Sequence, residues 1–179
     1  MKKVLLAIAM VLLFVSCTSL SLPENAELTP SDIWVEGNFV DDFGFETGDK
    51  YIASVVYGSF SNSATTDSTL TGKVLVYNDN SGQATIRFEL VEYGSYPVTV
   101  IGNTAPFASA TENGERLSKG YAGVSDRYLL LYNQNATPII EALARGENVI
   151  IVIEDNYSSR YRFVIPASGF GYRLQQFLN

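Results

Sequence analysis

The chain reads as an all-β protein, mainly antiparallel: a β-sandwich or partly open barrel with one or two short capping helices. Three observations carry this expectation. About eight short runs rich in β-branched and aromatic residues recur at spacings of roughly ten residues. Residues that tolerate tight turns separate them, as in Asn78-Asp79-Asn80-Ser81-Gly82. Helix signals are confined to two stretches near the C-terminal end.

In chain order, the first strands are expected at 34–40 and 49–60, joined by the acidic, Gly-containing loop between them. Segments 68–78 and 83–94 form a hairpin around the Asn/Asp/Gly turn. In the second of these, Ile86, Phe88 and Leu90 share one face, and Arg87, Glu89 and Val91 the other. A further pair is expected at 96–103 and 105–111, then a strand at 123–133. Thr137 is placed to cap a helix, with Pro138 at its first position and Gly146 at its end. Ile139, Ile140 and Leu143 supply its apolar face. Segment 148–167 reads as a hairpin with a polar turn at 155–159. Residues 168–178 close the chain as a short helix striped by Phe170, Leu174 and Phe177. The helices are expected to cover sheet edges or ends, since open edges invite unwanted pairing.

The N-terminal residues carry different information. Lys2 and Lys3 precede an unbroken apolar run from Val4 to Val15. That run is about a dozen residues, shorter than the roughly 20 a spanning helix needs, so it reads as an export signal. Ser16 and then Cys17, the single cysteine, follow directly. Leu12-Leu13-Phe14-Val15-Ser16-Cys17 resembles the lipobox of bacterial lipoproteins. Phe14 stands where Leu is usual, which resembles the relaxed lipoboxes of spirochaetes and some related bacteria. The resemblance implies removal of residues 1–16 and acylation of Cys17 as the mature N-terminus. Several acyl chains on one residue give lasting attachment, at about 0.8 kcal/mol per buried methylene. The alternative is a cysteine discarded within an ordinary cleaved signal. Residues 17–31 then read as the lipidated cysteine and a polar flexible tether, and 32–179 as a single β-sandwich domain.

Composition restricts the chemistry. With no cysteine beyond Cys17, disulfides, zinc–thiolate sites and cysteine catalysis are excluded from the mature chain. With no histidine at all, a Ser-His-Asp triad is impossible and the commonest general base is missing. These absences point away from an enzyme, and no cofactor is expected. The net charge of −7 disfavours nucleic acid and electrostatic adhesion to anionic lipid. Acyl chains, rather than surface charge, are expected to hold the protein to the membrane. Thr18 lacks the acidic character that favours inner-membrane retention in enteric bacteria, so the outer membrane is the expected side of the envelope.

Candidate sites are few. Asp41, Asp42, Glu46 and Asp49 sit in one Gly-containing loop with oxygen ligands suited to calcium, although the EF-hand spacing is missing. A solvated hairpin explains the same composition. The hydroxyl-rich segment 58–72 suits a glycan, or equally its own Asx and Ser/Thr turns. The eleven tyrosines suit interfaces as well as ordinary strand faces. If one loop presents them to a partner, it is 92–97, where a turn brings Tyr93 and Tyr96 together. Acid pairs such as Asp41–Asp42 or Glu89–Glu92 are the least supported option, a carboxylate-dependent glycan enzyme.

Segments 42–52, 58–70 and 161–174 resemble stretches of small exported bacterial proteins without assigned function. The order helix, strand, strand and final glycine–aromatic turn is similar to the small β-sandwich proteins that accompany type VI secretion systems. The expectation is a lipid-anchored cell-envelope protein, a non-catalytic binding or structural module for an envelope protein or glycan. The alternative is an envelope inhibitor of a host hydrolase such as a lysozyme.

Overall fold

The structure, a computed structural model, describes residues 19–64, 66–90, 104–125, 128–154 and 159–179, apart from the side chain of Leu90. Within these residues the strands are β1 (Val35–Val40), β2 (Glu46–Ser61), β3 (Ser68–Asn78), β4 (Ala84–Leu90), β5 (Thr104–Thr111), β6 (Arg116–Ser125), β7 (Tyr128–Tyr132), β8 (Val149–Glu154) and β9 (Arg160–Ile165). The helices are α1 (Thr137–Ala144) and α2 (Phe170–Leu178). All strands belong to one sheet, in the order β1-β2-β3-β4-β7-β6-β5-β8-β9, and β9 pairs back onto β2. The eight strands β2 to β9 therefore close into a barrel, with β1 as an extra strand outside the ring.

The all-β, antiparallel expectation holds, but the sandwich or partly open barrel is replaced by a closed barrel. The length of β2 is the reason. Its 16 residues are more than one neighbour can cover. Along one edge, β1 takes the first part, from Val40↔Glu46 to Val35↔Ala53. β9 takes the last part of that edge, from Val164↔Tyr57 to Arg160↔Ser61. The β9 pairing closes the ring and removes the edge that an open sheet would expose there.

Strand alternation sorts the residues. Ile52 and Val56 on β2, Val74 and Val76 on β3, and Ile86 and Phe88 on β4 point inward and are buried. Leu129, Leu131, Ile151, Ile153, Tyr161 and Phe163 complete the filling from the other side. An eight-stranded ring is just wide enough to be filled this way. The expected strand 123–133 proves to be the end of β6 followed by β7, which pair as an antiparallel hairpin, Gly123↔Leu130 to Ser125↔Tyr128. The expected strand at 96–103 lies outside the described residues.

One end of the barrel, the base, is closed by helices. Pro138 lies in the first turn of α1, and Gly146, at φ +84°, ends it. The Thr137 hydroxyl does not cap the helix but bonds to the Asn133 carbonyl at 3.0 Å. Trp34 is fully buried here, edge-on to Phe170 of α2 with ring centroids 4.7 Å apart. Its indole N–H donates to the Pro166 carbonyl at 2.9 Å, and the Arg173 Nε donates to the Trp34 carbonyl at 3.0 Å. Segment 19–31, read from sequence as a tether, packs against this base. Leu20 is buried, Leu22 and Ala26 lie against the core, and the Glu27 amide donates to the Ala144 carbonyl at 2.6 Å. Its alternating Leu and Ala residues supply enough apolar surface to dock.

From the same end, the β1–β2 hairpin projects past the barrel rim. Asp41 builds its turn: one carboxylate oxygen accepts from the amides of Phe43 and Phe45, each at 2.9 Å. Gly44 takes φ +86° at the tip, where a side chain would be strained.

Candidate functional site

Because the interior is filled, recognition has to use the outer wall. The outward residues of β3 are Lys73, Leu75 and Tyr77, and register places Glu89, Arg87 and Thr85 of β4 beside them. Tyr128, Leu130 and Tyr132 of β7 come next. An aromatic band results. Phe39 of β1 meets Tyr51 and Tyr77 edge-on, with centroids 4.9 and 5.0 Å away. Two cations lie on the band: Lys73 Nζ is 4.9 Å from the Tyr51 ring centre, and the Arg87 guanidinium carbon 3.8 Å from that of Tyr128. Arg87 also forms an ion pair with Glu89, while its buried Nε has no hydrogen-bond partner among the described residues. Stacking on a ring face satisfies the flat guanidinium in a way an ammonium cannot match.

At the base end the band runs into an open cleft of about 480 Å³. Phe39, Tyr77 and Tyr132 supply its apolar walls, and Asp49, Asn78 and Asn80 line its polar side. The β3–β4 turn holds that side rigid. The Asp79 carboxylate accepts from the amides of Ser81 and Gln83, each at 2.9 Å, and from the Ser81 hydroxyl at 2.6 Å. Burial pushes its carboxyl upward, but these hydrogen bonds outweigh that and hold it below its ordinary value. Asn78 accepts the Leu20 amide at 2.8 Å, which ties the N-terminal segment to the cleft.

Burial pushes the Tyr77 hydroxyl up to about 12, against the pull of the Arg87 charge, with smaller upward contributions from Tyr132, Tyr128 and Asp79. Burial also raises Tyr132, helped by Tyr128 and Asp79. Between pH 10 and about 12 the folded state keeps a Tyr77 proton that the unfolded chain releases, so stability falls across that window. Tyrosinate absorbance should keep rising well after the exposed tyrosines have titrated, and Tyr77→Phe should reduce that late component.

Of the predicted calcium candidates, Asp49 lines this cleft, while Asp41, Asp42 and Glu46 lie along the projecting hairpin, and all four are exposed. Among the described residues no three His, Cys, Asp or Glu groups gather to hold a metal ion. The hydroxyl-rich segment bonds to itself. Ser61 Oγ meets the Asp67 carboxylate at 3.2 Å and accepts its amide at 3.0 Å, and Asn62 accepts the Ala64 amide at 2.9 Å. Cys17, Tyr93 and Tyr96 lie outside the described residues. The sequence reading missed the grouping of Phe39, Tyr77 and Tyr132. Its signal was present as the period-2 outward positions 73, 75 and 77, opposite those of β4 and β7. Comparison with protein-family models, curated proteins and solved structures finds no match to this chain.

Proposed function

We propose that this protein is a lipid-anchored lipoprotein of the bacterial cell envelope, outer membrane favoured, acting as a non-catalytic binding module for a protein or glycan partner. The observation that carries the binding role is the cleft of Phe39, Tyr77 and Tyr132 at the end of the aromatic band. Aromatic walls give rigid apolar contact at low entropic cost, and the carboxamides of Asn78 and Asn80 beside them offer orienting hydrogen bonds. This combination suits the apolar faces and hydroxyls of a sugar, or a polypeptide loop of mixed character. The anchor rests on the sequence around Cys17.

The test captures a tagged copy from mild-detergent extracts of native membranes and reads its N-terminal peptide and companions by mass spectrometry. An acylated Cys17 and a reproducible protein or glycan companion support the reading. In Tyr132→Ala, a change at a side chain 42% exposed, the barrel should stay folded and the recovered companion should fall at least about tenfold, as for loss of a central interface aromatic. A companion retained in full by Tyr132→Ala would move the site away from this cleft.

A further inference from the structure

We infer that the β1–β2 hairpin is a second membrane contact, with Phe43 and Phe45 entering the bilayer interface beside the lipid-bearing N-terminus. This rests on the anchored reading of Cys17 given above.

The hairpin tip presents Phe43 at 85% exposure and Phe45 at 72%, with Val40 exposed next to them. Large aromatics this exposed at the end of a projecting, hydrogen-bonded turn have no packing role in the barrel. Asp41 spends its carboxylate oxygen on the turn amides, so the tip keeps its shape without support from the rest of the fold.

Distance and direction favour lipid as the occupant. Leu20 docks at the base rim through Asn78, the last residue of β3. The register Ile52↔Val76, continued for two residues, places Lys50 level with Asn78. From Lys50 to Phe45, β2 advances about 17 Å beyond the rim, or about 13 Å along the barrel axis after the usual strand tilt. Three residues separate Cys17 from Leu20, a reach of at most about 11 Å. A bilayer that holds acyl chains on Cys17 therefore lies within reach of the hairpin tip. Leu28 and Leu178, also exposed, belong to the segments that close this base. The carboxylates of Asp42 and Glu46 flank the tip and select zwitterionic over anionic headgroups.

The test places the acylated mature protein in phosphatidylcholine vesicles with brominated acyl chains, after mass spectrometry of Cys17. Trp34 is buried in the base and gives a constant background. In Phe43→Trp and Phe45→Trp, the added emission should shift to the blue and be quenched about twofold or more. In Tyr121→Trp, on the barrel wall, the added emission should stay solvent-like. Phe43→Trp emission that stays solvent-like while Cys17 is acylated overturns the hairpin contact and leaves the anchor standing. An unmodified Cys17 in protein recovered from native membranes overturns both.

Discussion

Replacing Trp34 by alanine should lower the melting temperature by about 10 °C. A buried Trp→Ala change costs about 3–5 kcal/mol, and in a domain of this size each kcal/mol is worth about 2–4 °C. Trp34 sits at the upper part of that range because it joins three pieces: the start of β1, the end of β9 through Pro166, and α2 through Phe170 and Arg173. Its loss leaves the Pro166 carbonyl without the indole donor and opens a gap beneath Phe170. Thermal unfolding by circular dichroism measures the shift. Hydrogen exchange adds a local readout, since the amides of α2 should lose protection before those of β3 and β4. A shift under about 3 °C would mean that the helices hold the base without this ring.

The second large effect is expected at Gly58, where β9 closes the barrel against β2. A Cβ there would lie 2.1 Å from the Arg162 carbonyl oxygen and 2.8 Å from Cδ1 of Phe163. The nearest obstacle is backbone, which cannot rotate away, so Gly58→Ala has to push β9 outward. A cost of about 3 kcal/mol is expected, the upper end for overpacking. Urea unfolding should show it, and amides paired across Tyr57↔Val164 and Ser59↔Arg162 should exchange first. Gly44→Ala is the comparison: it is strained at φ +86° but has no atom within 4 Å, so its effect should be smaller and confined to the hairpin. Equal effects at the two positions would show that the seam is not under steric control.

Much of the local structure was legible because it depends on neighbours in sequence. Segment 68–78 was read with the limits of β3, since its turn residues and alternation are local signals. The α1 helix was legible from Pro138 and Gly146. Closure was not. It depends on Tyr57 meeting Val164, and no local pattern encodes a pairing across that distance. Most of β6, residues 116–122, was missed for a different reason. Lys119, Gly120 and Gly123 dilute its β-forming character, so the run lacks the density of β-branched and aromatic residues that marks the other strands. The docking of segment 19–31 was also hidden, because Leu20, Leu22 and Ala26 stand among polar residues and prolines, too few to mark a strand or helix. The outward alternation that places Tyr77 on the wall was legible, but its meeting with Phe39 and Tyr132 was not, since β1, β3 and β7 bring the three rings from distant parts of the chain.

The seam between β2 and β9 also sets the order in which the protein can form. β9 is the last strand of the ring in chain order, so the ring cannot shut until all the strands before it are available, and closing so long a loop is slow. A nascent chain therefore remains open along β2 throughout synthesis. For the exported lipoprotein proposed here, that delay keeps the polypeptide threadable through a secretion pore. Barrel closure then becomes an event of the far side of the membrane, completed after the N-terminal anchor has already been placed.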